Sequence, residues 1–167
     1  MVSKELFMNQ IPSNKLNPKI KKVWRINSLI VTCIVSLLLF GAFIVIHLTL
    51  DIDFLWILIP IAVLLIRIIA NFIIYPKIKY SRWRYEVKED EISIRKGIFF
   101  ISSIVIPIVR VQFTDTSHGP IMRAFGLATV SIATAGGEQS IPGLSFEDAD
   151  ELRNKIANLA KMLQESV

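Results

Sequence analysis

The side chains able to do chemistry are few. The chain has two histidines, His47 and His118, and one cysteine, Cys33. His118 stands close to Asp115 and Ser117, so acid, base and nucleophile are all present in one stretch. A hydrolytic triad is defined by geometry, and residues so close along one segment rarely converge on it, so a loop role is expected there. No HExxH, P-loop, GxSxG or GxGxxG pattern occurs. The expectation is therefore a protein that is not an enzyme, with no cofactor. One cysteine excludes an internal disulfide and any multi-cysteine metal site. Cys33 falls inside an apolar run, where a lone thiol acts as a small apolar residue.

The remaining candidates are polar residues in unusual places. Arg67 is the only charge in the apolar run 54–75, where a charge costs about 2.5–3.5 kcal/mol on insertion scales. Asn71 lies one helical turn on, and Thr32 and Ser36 in the preceding run fall at matching depth. These four are expected to form a polar seam between two helices, a common device of membrane bundles. The functional alternative is that Arg67 meets a carboxylate on a partner membrane protein, since this chain has no acid at that depth. Further on, Arg110, Gln112 and Arg123 allow two readings. Either the arginines pair with nearby acids such as Asp115, or the three residues mark a partner- or peptide-binding edge.

The elements that must position these residues start with two greasy runs. Residues 26–50 contain no charge, and as a helix they span roughly 37 Å, more than the roughly 30 Å hydrocarbon core of a bilayer. A helix buried in a soluble core would keep a polar stripe, and this run has none of any width. Residues 54–75 form a second run of similar length, and Pro60 in its outer half is expected to kink it. The connection at 51–53 is too short for a domain, so the runs must be antiparallel neighbours with both chain ends on one side. Lys4, Lys15, Lys19, Lys21, Lys22 and Arg25 precede the pair against Glu5 alone, Lys77, Lys79, Arg82 and Arg84 follow it, and only Asp51 and Asp53 carry charge in the turn. Positive flanks stay inside, which puts both termini in the cytoplasm and the turn outside. The same flanks suit anionic headgroups. The apolar run is too long for a signal peptide, and no small-x-small cleavage site follows it.

Composition agrees. The chain has 167 residues, is 53% hydrophobic, and its net charge of +5 lies mostly in those flanks, so no nucleic-acid footprint is read from it. Residues 1–25, with Pro12 and Pro18, are expected to be a poorly ordered tail that turns helical near Pro18 or after. Residues 76–167 leave room for one small domain.

Within that domain the periodicity changes to alternation. Trp83, Tyr85 and Val87 alternate with polar neighbours, a polar turn Lys88-Glu89-Asp90-Glu91 follows, and Ile92 and Ile94 return as a strand. Lys96-Gly97 turns into a run at 98–106. Pro107 interrupts, and Val109, Val111 and Phe113 are expected to alternate inward against Arg110, Gln112 and Thr114. Residues 117–126 are expected to be a loop with a turn of helix, 127–135 a strand, Gly136-Gly137 a hairpin turn, and 138–142 a strand. Ser145 is a good N-cap for a helix whose stripe is Ala149, Leu152, Ile156, Leu159 and Leu163. The fold class is α+β: a two-helix transmembrane hairpin, then six or seven antiparallel strands closed by a C-terminal helix.

Strands followed by a capping helix is the order of a pleckstrin-homology-like (PH-like) barrel or sandwich. The residues are more specific. The stretch from Ile106-Pro107-Ile108 to Arg110-Val111-Gln112, then Arg123-Ala124-Phe125-Gly126-Leu127, Thr134-Ala135-Gly136-Gly137 and Ile141-Pro142-Gly143-Leu144 resembles the bacterial membrane-anchored PH-like domain family. The short members of that family place two transmembrane helices before one such domain. The resemblance implies a non-enzymatic membrane protein, often encoded beside a longer relative with several such domains. It thus implies either a hetero-complex with a related membrane protein or self-association. Eukaryotic relatives of the fold bind phosphoinositides through a basic loop between the first two strands. Here that loop holds Glu89, Asp90 and Glu91, so phosphoinositide binding is not expected there. The sequence leaves a membrane-tethered interaction module set against a subunit of a small transporter or exporter, or a lipid-binding membrane protein.

Overall fold

A computed structural model of the chain describes residues 12–50, 53–98 and 100–165. The first eleven residues of the expected tail and positions 51 and 52 of the expected turn lie outside these. The chain divides into two compact units, Lys21–Lys77 on the one hand and Met1–Ile20 with Ile78–Val167 on the other.

The first unit is the apolar pair. Helix α1 runs Ile20–Leu50, with no Gly or Pro to break it before Gly41. A short 3₁₀ turn, Phe54–Ile57, leads into α2, Leu58–Ile69. Two helical stretches, Ile20–Thr49 and Leu55–Arg82, are long and apolar enough to cross a membrane. Leu37, Leu48, Leu55 and Ile66 are 67–77% exposed, which water would not tolerate over so much apolar surface. The Arg25 guanidinium lies 5.3 Å from the Phe72 ring centroid, so the start of one helix meets the end of the other and the pair is antiparallel.

Pro60 sits in the first turn of α2, just after the 3₁₀ turn. A second irregularity lies further on. Residues Ala70–Ile74 form a wide π turn, followed by α3, Tyr75–Arg82. Pro76 explains it: its ring cannot accept the carbonyl four residues back, and a widened turn relieves that clash.

The second unit is a sandwich. Strands β1 (Arg84–Val87), β2 (Glu91–Lys96) and β3 (Ser102–Pro107) form one antiparallel sheet in the order β1-β2-β3. Strands β4 (Val111–Ser117), β5 (Leu127–Thr134) and β6 (Gly137–Ser145) form a second, in the order β4-β5-β6. The sheets do not close into a barrel. A short helix α4, Pro120–Ala124, joins β4 to β5, and α5, Phe146–Glu165, covers the second sheet. The Ser145 hydroxyl accepts the Asp148 N–H at 3.1 Å, the expected N-cap. Ala149 and Ile156 are fully buried. The core joins Ile92, Ile94 and Ile106 of one sheet to Leu127, Val130, Ile132 and Ile141 of the other.

Part of the expected tail belongs to this core. Asn14 exchanges two backbone hydrogen bonds with Tyr85, both 3.1 Å, extending the first sheet beyond β1. The Tyr80 hydroxyl donates to the Leu16 carbonyl at 3.1 Å, and Leu16 and Ile20 are buried. The Asn17 N–H donates to the Gly143 carbonyl at 2.9 Å. Gly143 holds φ at +71° where the β5–β6 register shifts, a bulge that lets this strap approach. The prolines and asparagines that read as disorder shape an ordered strap instead.

Candidate interaction groove

The alternation expected through Val109, Val111 and Phe113 breaks in two places. Ile108–Arg110 is a 3₁₀ turn, and it is Ile108, not Val109, that is buried. The β4–β5 register then shifts between Val111 and Phe113. That bulge sends Gln112 and Phe113 outward together, leaving Phe113 62% exposed. The physical reason is Pro107, which ends β3 and forces the chain to turn before it can start the second sheet.

The break creates a groove of 580 Å³ between the edge of β3 and the start of β4, closed at one end by the β5–β6 turn. Val105, Pro107, Val109, Arg110, Gln112 and Gln139 line it. Strand β3 pairs with β2 along one side only. Natural sheet edges are normally blunted by charge, but β3 reads Ser-Ser-Ile-Val-Ile-Pro and carries none. Arg110 provides the positive charge of the lining. Among the described residues no carboxylate lies within ion-pair distance of Arg110 or Arg123, so neither pairs with Asp115. Gln139 accepts the Lys96 ammonium at 2.9 Å, pinning the rim.

The structure thus brings Arg110 and Gln112 together and leaves Arg123 apart, exposed in the last turn of α4 beyond the far end of β4. Val105, Val109 and Gln139 are lining residues the sequence reading did not single out. Pro107 inside an apolar run was the signal available for them.

The intramembrane residues lie on complementary stripes. Thr32 is only 6% exposed, Ser36 is half-buried, and on the other helix Arg67 and Asn71 are half-buried at helical spacing with Leu64. The Ser36 hydroxyl, however, bonds back to the Thr32 carbonyl at 2.5 Å, within its own helix. The Arg67 Nε is buried and has no hydrogen-bond partner among the described residues. A cavity of 420 Å³ opens between the helices beside Ser36, Phe40, Pro60 and Leu64, with an almost wholly apolar lining.

Asp115, Ser117 and His118 do not converge. All three are exposed, and His118 packs edge-on against Phe146 at 5.3 Å between ring centroids. In the acidic turn, Lys88 pairs with Glu91 at 3.2 Å, and that contact raises the lysine pKa. The loop's positive charge is thereby spent internally.

The bacterial PH domain model matches residues 29–160. The chain is 40% identical to the UPF0699 transmembrane protein YdbS of Bacillus subtilis (strain 168), over 96% of this chain and 100% of that protein. It is 32% identical to the UPF0699 transmembrane protein YdbT of the same organism, over 59% of this chain but only 20% of that one. No solved structure matches the chain. Two membrane-length helices, an open PH-like sandwich and these likenesses together make the chain a member of the bacterial PH domain family, among its transmembrane proteins.

Proposed function

We propose that this chain is a non-enzymatic membrane protein that presents its PH-like domain at the cytoplasmic face as an assembly module, docking onto a larger membrane protein that carries related domains. The observation that carries the reading is the groove beside β3. An uncharged strand edge over an open apolar groove can take a partner's strand by backbone pairing, with Val105 and Val109 supplying side-chain contacts. The likeness to YdbT, of which one domain's length covers a fifth, supports a larger relative as the partner. The basic flanks support the cytoplasmic side.

The test is co-purification in mild detergent. The tagged wild-type chain is expected to bring down a larger relative with several such domains. Val105→Lys, which puts a charge on the edge, is expected to abolish this while leaving the chain folded. Retention of the relative by Val105→Lys would refute docking at this edge.

A second reading has one observation behind it, the unpartnered Arg67 Nε. In it, Arg67 lines a path or meets an acidic residue in an oligomeric transporter. Arg67→Leu separates the two: the assembly reading predicts that the relative still co-purifies, and the transport reading predicts that substrate flux into proteoliposomes requires Arg67.

A further inference from the structure

Three arginines meet where the second apolar helix ends. Arg82 is the last residue of α3, Arg84 the first of β1, and Arg95 lies on β2 directly opposite Arg84 in the sheet register. With Ser81 and Ile101 they line a recess of 230 Å³. Side chains directly opposite across an antiparallel pair lie within about 5.5 Å at Cβ, and like charges there repel. Among the described residues no acid relieves this pair: no carboxylate comes within ion-pair distance of Arg82, Arg84 or Arg95. Glu86, the acid nearest along the same face, accepts the Ser13 hydroxyl at 3.1 Å instead. Arg84 donates to the Trp83 carbonyl at 2.9 Å and Arg82 to the Ile98 carbonyl, bonds that fix the two guanidiniums without neutralising them.

The Arg82 bond ties the helix end to the β2–β3 turn, and that turn is apolar. Ile98, Phe100 and Ile101 stand in it, where a solvated turn would be polar. Phe100 is 93% exposed and Ile101 51%. Gly97 sets the turn at φ +130°, and a Cβ there would fall 1.9 Å from the Phe100 carbonyl oxygen, so only glycine permits it. In the sequence, Arg82 and Arg84 follow the apolar run 54–75 within ten residues, where basic flanks suit anionic headgroups.

We propose that Arg82, Arg84 and Arg95 clasp the phosphate of an anionic lipid headgroup while Phe100 and Ile101 dip into the bilayer surface, giving the domain a second hold on the membrane. The ligand chemistry is a phosphate mono- or diester anion, and the apolar turn beside it assigns its source to lipid rather than to solution. The clasp lies at the opposite end of β1 and β2 from the acidic turn at 88–91, so it is separate from the phosphoinositide-binding position of other PH-like domains.

The test uses the full chain. Its preference for phosphatidylglycerol over phosphatidylcholine is measured by native mass spectrometry from mixed micelles. At about 1 kcal/mol per basic residue near an anionic surface, the preference is expected to fall about fivefold for each of Arg84→Gln and Arg95→Gln. Lys155→Gln, the same charge change on the exposed face of α5, is expected to leave it unchanged. Separately, an environment-sensitive fluorophore on Phe100→Cys, in a Cys33→Ser background, is expected to brighten in phosphatidylglycerol nanodiscs. Phe100→Ser is expected to keep the lipid preference, since it removes no charge. An unchanged preference in both arginine variants, an equal loss in Lys155→Gln, or a fluorophore that stays in water would overturn the proposal. So would full displacement of the lipid by equimolar glycerol phosphate, which would make this a free-anion site.

Discussion

Gly143→Ala tests the packing of the N-terminal strap. The glycine holds φ +71°, which costs an L-residue about 1–2 kcal/mol. A methyl at that position would also lie 2.7 Å from Ile20 Cγ1 and 2.8 Å from Ile20 Cβ. The second atom is near the backbone and cannot swing away, so the strap must shift. Overpacking of this kind costs about 1–3 kcal/mol. The sum, about 2–5 kcal/mol, is a large share of the roughly 5–15 kcal/mol that holds a domain together. The assay is thermal unfolding of the full chain in detergent, with hydrogen exchange at the Asn17 amide. The variant is expected to melt about 10 °C or more lower, with faster exchange at Asn17. Ile20→Gly removes the Cβ, Cγ1 and Cδ1 that obstruct, at a cost of its own, so in that background Gly143→Ala should cost only the backbone part. Equal costs in both backgrounds, or an unaffected Asn17 amide, would refute the claim that Gly143 exists to seat Ile20.

Three other outcomes follow from single contacts. Ser145→Ala removes the cap on Asp148 N–H and is expected to cost about 1 kcal/mol of domain stability, read as a lower midpoint in urea. Burial, and secondarily the Asp148 charge, raise the Tyr85 pKa above its ordinary 10.0. Above pH about 10 the unfolded chain therefore loses the tyrosine proton while the folded domain keeps it, so stability falls as pH rises through that window. Tyr85→Phe should show a shallower loss than wild type between pH 9 and 11 in a melting series. Arg67→Leu removes a buried donor with no partner among the described residues, so the detergent melting temperature is expected to hold or rise; a drop would show that Arg67 is glue for the hairpin.

The large features were legible because each rests on a strong periodic signal. Twenty-five uncharged residues at 26–50 can only be a span or a core helix, and no polar stripe supports the core. The alternation at Ile92 and Ile94 and the Ser145 cap each carry their own local physics; the hairpin turn falls one residue earlier than expected, at Ala135-Gly136, with Gly137 opening β6 opposite Thr134. What could not be read are features set by contacts distant in sequence. Asn14, Leu16 and Asn17 look like breakers until Tyr85, Tyr80 and Gly143 arrive to satisfy them. Phe113 looks inward by alternation, and a bulge one residue before it reverses its face. The wide turn at Ala70–Ile74 answers to Pro76, which reads as a flank rather than a helix residue because a lysine follows it. Arg84 and Arg95 are ordinary basic residues in a list and become a site only once the register sets them opposite each other.

The most direct test of the assembly reading is a photo-crosslinking amino acid in place of Val105, on the exposed edge of β3, activated in intact cells. The account predicts one dominant adduct, identified by mass spectrometry as a larger membrane protein with related domains, and its loss when Val109→Lys charges the groove. Crosslinks to lipid alone, or an adduct indifferent to Val109→Lys, would contradict it.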